Sequence, residues 1–258
     1  MAISFKKPPL SEVALGYTFL PRPDLLIPHL GLFWGDVRDA YPGCQHATPI
    51  IDNPEFELVS DLPLPRVWLT SGDNARLIQL QQDRLLFNWR DSGDGTPYIR
   101  FPSIRQEFER VDALFKAHVH KLTSVALHPT SYTLTYVNLI RSGEGWSSMG
   151  DLGEIFPDLT WRSESRFLPR PTEMAWKSTF PLPDGFGSLT AHIQPGKLVR
   201  TEAPILKLEL NASSGSLGGK VLDMREWVTL AHDWITQAFK DLTSTHIQEK
   251  NWQREDGV

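Results

Sequence analysis

The order of strand and helix patterns constrains this chain more than any single motif, because one run of elements can be read twice: strand, helix, three strands, helix. The first run opens over residues 12–20, where Val13, Leu15, Tyr17 and Phe19 alternate with Ala14, Gly16 and Thr18, the two-residue period of a half-buried strand. Pro21 and Pro23 end it. Asp24 then offers an N-cap, and Leu26, Leu30, Phe33 and Val37 form a helical stripe closed by Pro42 and Gly43. Pro28 falls in the first turn, where a missing N–H is tolerated. Residues 44–65 are rich in proline and acid and read as loop, with one edge strand at 56–59. Three strands are expected at 66–70, 76–81 and 84–90, separated by the turn clusters Ser71 to Asn74 and Gln82 to Asp83. After a glycine-rich loop, Ser103 and Gln106 have capping-box spacing. Ile104, Phe108, Val111, Phe115, His118 and Leu122 then mark the buried face of a helix.

The second run begins at Tyr132, where Tyr132, Leu134, Tyr136 and Asn138 alternate with Thr133, Thr135 and Val137. A short helix is expected at 151–156 and strands at 174–180, 188–194 and 205–211, divided by Pro-Asp-Gly and Pro-Gly turns. Asp223 and Glu226 have capping-box spacing ahead of a broad apolar stripe of Trp227, Leu230, Ala231, Trp234, Ile235 and Ala238. The two runs share the order of elements and little residue identity. They predict an α+β protein, pseudo-duplicated in halves 1–130 and 131–258 and joined in one compact domain. Its long antiparallel sheet carries the helices on one face, because each amphipathic helix needs an apolar surface to lie on. The element order is similar to that of TATA-binding-protein and helix-grip folds, a likeness of topology that carries no function.

Composition bounds what such a fold can do. With 40% hydrophobic residues and nine tryptophans the chain has ample material for a packed core. A formal charge of -5 and a pI near 5.9 oppose nonspecific nucleic-acid binding. The lone cysteine, Cys44, rules out an intramolecular disulfide and a cysteine-built zinc site. No apolar run approaches the length of a membrane span, and the N-terminal lysines are followed by prolines where a signal peptide is apolar. A cytoplasmic protein without membrane attachment is expected.

The opening PPLSEVALGYTFLP, the segment RLIQLQQDRLLFNWR (76–90), TYVNLI (135–140) and AHDWITQAFKDLTS (231–244) together resemble a sporadically distributed prokaryotic family of uncharacterised proteins of about this length. The resemblance extends over nearly the whole chain. Its most specific part is the hairpin bearing Gln79, Gln81, Arg84, Asn88, Trp89 and Arg90. This chain departs from the family where relatives carry proline and methionine after the helix-ending Asp-Leu-Thr, reading Ser244-Thr245-His246 instead. The family implies no activity. Its patchy distribution implies accessory genes of mobile or defence-type loci.

Candidate binding residues follow from strand alternation. Gln79 and Gln81 share one face of their strand, and Asn88 and Arg90 one face of the next. With Arg84 they make a hydrogen-bonding patch suited to a planar or anionic ligand. Alternatively the patch is simply the solvated face of an antiparallel sheet. Thr133, Thr135, Lys177, Thr179, Thr190, His192, Gln194, Lys207, Glu209 and Asn211 extend a polar face across the second run. Trp146 and Trp252 sit in segments without an apolar period and are candidates for a partner contact. His118 lies on an apolar stripe and reads as a hydrogen-bonded core histidine. No histidine spacing matches a metal site, and no nucleophile elbow or phosphate loop is present. No catalytic residue, metal ligand or cofactor is assigned.

The leading expectation is a non-enzymatic binding protein engaging a protein partner or a second copy through the polar face or the aromatic loops. A second is an enzyme or sensor holding a small ligand between sheet and helix, with Gln79, Gln81, Asn88, Arg90, Tyr136, Asn138 and His192 around it. A third, nucleic-acid binding by a saddle-like sheet, is opposed by the acidic charge.

Overall fold

The computed structural model describes residues 3–50, 66–93, 98–161, 167–198, 201–215 and 222–256. In chain order the elements are β1 (Ile3–Phe5), β2 (Leu10–Phe19), α1 (Ile27–Val37), β3 (Gly43–Ala47), β4 (Arg66–Thr70), β5 (Arg76–Gln81), β6 (Arg84–Arg90), α2 (Phe101–Thr123) and β7 (Pro129–Arg141). They continue with α3 (Leu152–Ile155), β8 (Trp176–Pro181), β9 (Ser188–Lys197), β10 (Pro204–Ser213), α4 (Met224–Leu242), α5 (Thr245–Lys250) and β11 (Arg254–Asp256). Nine strands form an antiparallel sheet in the order β3-β4-β5-β6-β2-β7-β10-β9-β8, and β1 pairs with β11 in a separate ribbon. The fold is α+β, as the alternation of periods predicts. Cα packing divides the chain into two units, one of Glu12–Thr133 and one of Leu134–Gly215 with Met1–Ser11 and Lys220–Val258.

In the Glu12–Thr133 unit, Val13, Leu15, Tyr17, Leu69, Ile78, Leu80, Leu85 and Phe87 are buried, as are Leu30, Phe33 and Val37 of α1 and Ile104, Phe108, Val111 and Phe115 of α2. Aromatic edges lock the layers: Tyr17 meets Phe108 at 6.3 Å, and Phe33 meets Phe115 at 5.3 Å. Tyr17, Asp112 and Lys116 are paired in this core. The Tyr17 hydroxyl donates to Asp112 at 2.7 Å, and Lys116 Nζ donates to the same carboxylate at 2.8 Å. Burial, with Asp112 beside it, pushes the Tyr17 hydroxyl well above the ordinary tyrosine range. His118 is the core histidine that its position implies. Its Nδ1 lies 3.0 Å from Asp36 Oδ2 and its Nε2 3.0 Å from the His29 carbonyl, so one α2 residue is tied to two points on α1.

Local signals differ from the sequence reading at several places in this unit. Asp24 does not cap α1, because its carboxylate is taken by Arg22 at 2.6 and 2.8 Å. The cap is Leu26, whose N–H donates to His29 Nδ1 at 3.1 Å. Likewise α2 starts ahead of Ser103, at Phe101, after Arg100 in a left-handed conformation (φ 65°). Leu122, placed on its buried stripe, is exposed. Gly-Cys-Gln-His-Ala has no apolar alternation to predict a strand, yet β3 pairs with β4 as an edge strand. The strand expected at 56–59 lies outside the described residues.

In the second unit the expected strands are present, β9 and β10 longer than expected and β8 starting later, at Trp176. β9 runs through Pro195 and Gly196, a dipeptide that predicts a turn. β8 pairs with β9 only as far as Trp176 opposite Ile193. Pro195 therefore sits where β9 has no described neighbour on the β8 side, and a missing N–H is tolerated there. Asp223 caps α4, accepting from Glu226 N–H at 2.8 Å. Trp227, Val228, Ala231, Ile235, Phe239 and Leu242 of α4 are buried, whereas Leu230, Trp234 and Ala238 are only half-buried. Trp252 is also buried, 5.1 Å from Phe239 and 6.4 Å from Phe5 of β1, so it is core and not a free partner contact.

Two outcomes are expected. Gly187 holds φ +120°, and a Cβ there would collide with the Ser213 backbone, so Gly187→Ala is expected to cost about 2–4 kcal/mol in denaturant unfolding. The Asp151 carboxylate accepts from the Ser147 and Ser148 amides and hydroxyls at 2.9–3.1 Å. The Ser147 amide is the leading cause of a pKa lowered from 3.8 to about 2. A depressed folded-state pKa contributes stability above the unfolded value, lost as pH falls through the folded one. Acid titration of stability should therefore lose an Asp151-dependent part between pH 3.8 and about 2, and Asp151→Asn should remove it.

Candidate functional site

The hairpin of β5 and β6 carries Gln79, Gln81, Arg84, Asn88 and Arg90, and the structure places the first four out of solvent. Gln79 is 6% exposed and Asn88 2%. The solvated-face reading of this hairpin therefore does not hold. Each amide is instead consumed internally. Gln79 Nε2 donates to Asn88 Oδ1 at 2.7 Å, while its Oε1 accepts from Arg66 at 2.9 Å and from the Trp68 indole at 3.1 Å. Asn88 Nδ2 donates to Glu12. Gln81 closes a ring with the backbone of Ile50, accepting from its N–H and donating to its carbonyl, both at 2.9 Å.

The arginines complete this network. Arg84 pairs with Asp83 through two nitrogens at 2.9 and 3.0 Å. Arg66 and Arg90 stack on Trp68, at 5.3 and 5.6 Å from the ring centroid. Burial, with Arg84 nearby, pushes the Arg66 guanidinium below its ordinary value. Most of these polar groups are already partnered, the buried Arg66 Nε excepted, as groups on a covered face have to be.

The other four sequence candidates lie in the second unit. The Tyr136 hydroxyl bonds His232 Nδ1 of α4 at 2.9 Å, and Asn138 Nδ2 donates to the Leu208 carbonyl at 3.4 Å. Both are buried. Trp146, expected in an open loop, is 5% exposed with its indole N–H on the Ile140 carbonyl at 3.3 Å. The loop folds back because Gly145 (φ +98°) packs against Ile155 and Ile247, leaving no room for a Cβ. His192 is half-buried and stands opposite Lys177 on β8 and Glu209 on β10. Beside that row, Thr179, Thr190 and Asn211 are in register, with Thr179 and Thr190 hydroxyls 3.0 Å apart and Asn211 donating to Thr135 at 2.6 Å. The polar face expected across the second run thus exists, and it is laterally hydrogen-bonded. The nine candidates do not converge on one site.

A feature that sequence reading missed lies in this second unit. A cleft of about 590 Å³ is lined by Trp234, Gln237, Ala238 and Leu242 of α4 and by Phe180 and Leu189, which face each other across β8 and β9. Asp233 and Asp241 of α4 and Asp158 of the Pro157–Leu159 turn complete it. The signal was the width of the α4 stripe. Trp234 and Ala238 extend it beyond what β9 and β10 cover, and β8 is the last strand, so this flank of the helix is left to wall a groove. A smaller cleft of about 360 Å³ in the Glu12–Thr133 unit is lined by Phe19, Leu20, Val125, Leu127 and the paired Arg22 and Asp24. Among the described residues no three His, Cys, Asp or Glu side chains are grouped to hold a metal ion, and no helix is long and apolar enough to cross a membrane.

No protein-family model matches the chain, and no curated protein matches it. Among solved structures it is similar to DynU16, a protein in the dynemicin biosynthetic locus, at a TM-score of 0.30 and 11% identity over 90% of this chain and 96% of that one.

The hairpin network gives a direct expectation. Asn88→Ala removes the buried acceptor of the Gln79 amide N–H and a donor to Glu12, and should cost about 1–3 kcal/mol in denaturant unfolding. Arg90→Ala, at a half-buried position, should cost less than about 1 kcal/mol.

Proposed function

We propose that this chain is a non-enzymatic binding protein whose ligand seat is the cleft between α4 and the β8–β9 hairpin. The cleft itself carries the reading. Its volume of about 590 Å³ lies within the roughly 300–1,000 Å³ of pockets that take small organic ligands. Its composition also has the form of such sites, with apolar walls and a few polar groups at the mouth. Leu189 and Leu242 are buried at its base, while Trp234 and Ala238 are half-buried. An indole left half in water gains by being covered.

This reading keeps the ligand between helix and sheet but moves it away from the residues that alternation selected. Gln79 and Asn88 are spent on one another, Gln81 on the Ile50 backbone, and Tyr136 and Asn138 on α4 and β10. A second reading, a protein partner or second copy on the polar face of the second unit, is favoured by the in-register rows around His192 and Asn211. The mixed charge of Lys177, Lys207 and Glu209 on that face, with Lys207 paired to Glu209 at 2.7 Å, does not favour a phosphate backbone. A cytoplasmic location accords with the single thiol, Cys44, and an accessory role in a mobile or defence-type locus rests on the family resemblance.

The cleft is tested with neutral naphthylmethanol in ligand-observed NMR. Binding should weaken at least about tenfold in Ala238→Trp, which fills the groove from the helix side. Binding indifferent to that substitution places the ligand elsewhere. Sedimentation of the protein as a strict monomer, with no partner on the polar face by cross-linking, removes the second reading.

A further inference from the structure

The chemistry of the cleft mouth narrows the ligand class, an inference that rests on the cleft being a binding seat. Among the described residues its lining includes three aspartates and no basic side chain. They come from separate elements, Asp158 from the turn after α3 and Asp233 and Asp241 from α4, and all three are exposed. Asp233 and Asp241 stand on either side of Trp234, Gln237 and Ala238 along one flank of the helix, so the acidic groups border the apolar wall. None of the three forms an ion pair among the described residues. Lys240, the basic residue of the last turn of α4, does not line the cleft.

We propose that the cleft selects an organic cation, an ammonium or amidinium head on an aromatic or aliphatic body. The body covers Leu189, Leu242, Ala238 and Phe180, where apolar area leaves water. The head stays at the mouth, still hydrated, in the field of the exposed carboxylates and beside the Trp234 ring, whose face attracts cations. An anionic head on the same body would meet the carboxylates with like charge. A bare metal ion lacks a ligand set here, because among the described residues no three acidic or histidine groups come together at coordinating range.

The test compares three probes sharing one body: naphthylmethyl-trimethylammonium, neutral naphthylmethanol and naphthylacetate. They are titrated calorimetrically into the full chain at low and at physiological salt. The ammonium should bind roughly tenfold more tightly than the neutral probe at low salt and by a smaller factor at physiological salt, with the carboxylate weakest. Asp233→Asn combined with Asp241→Asn, both exposed, should remove the ammonium's advantage over the neutral probe. Neutral binding that Ala238→Trp blocks, with no preference for the ammonium, would overturn the charge selectivity and leave the binding seat standing. If none of the probes binds, both readings fall together.

Discussion

Burial of both faces of β5 and β6 is the constraint on which much of the Glu12–Thr133 unit depends. One face is apolar and joins the α1 and α2 layer in an ordinary core. The other carries Gln79, Gln81, Arg84 and Asn88, and an amide removed from water without a partner would cost more than its bond returns. These side chains must then find partners: Gln81 takes the Ile50 backbone and Arg84 takes Asp83, while a chain runs from Trp68 and Arg66 through Gln79 and Asn88 to Glu12. Such a network fixes register, since a slip by one residue would exchange the polar face with the apolar one. Gly16 belongs to the same arrangement. It lets β2 approach β6 so closely that a Cβ would strike Leu86 and the Leu85 carbonyl.

Much of the architecture was legible because it follows from period. β4, β5 and β6 were placed at their observed bounds by alternation and turn chemistry, and α4 by its cap and stripe. Elements held mainly by tertiary contact were not. β3 has no hydrophobic signature and exists because β4 offers it an edge. The start of α2 depends on an unusual conformation at Arg100 that no capping rule anticipates. At the level of sites, alternation correctly assigned residues to faces but could not tell a solvated face from a covered one. Trp146 and Trp252 show the same blindness from the other side. Short aromatic segments without periodicity look exposed, yet Trp146 is buried with its indole on the Ile140 carbonyl and Trp252 is buried against Phe5 and Phe239.

The proposed seat illustrates where binding surfaces arise in a sheet-and-helix layer. A helix whose apolar stripe is wider than the strands beneath it must either attract another element or leave a groove. Here the surplus falls at the end of the strand order, where the Phe180–Leu189 pair supplies the opposite wall and aspartates supply the rim. The hairpin network and the cleft are thus contrasting fates of side chains that strand or helix periodicity leaves over. In one the surplus polar groups close on themselves, and in the other surplus apolar surface is left for something else to cover.

The stretch of β9 past Ile193 has a further consequence. Sheet edges with unpaired amides are templates on which other chains can polymerise, and natural proteins interrupt them with proline, charge or short strands. β8 stops short, so this end of β9 is such an edge among the described residues. Pro195 deletes one donor from it, and Lys197 adds a charge at its tip. The proline that imitates a turn in the sequence serves in the fold as a guard against intermolecular strand pairing.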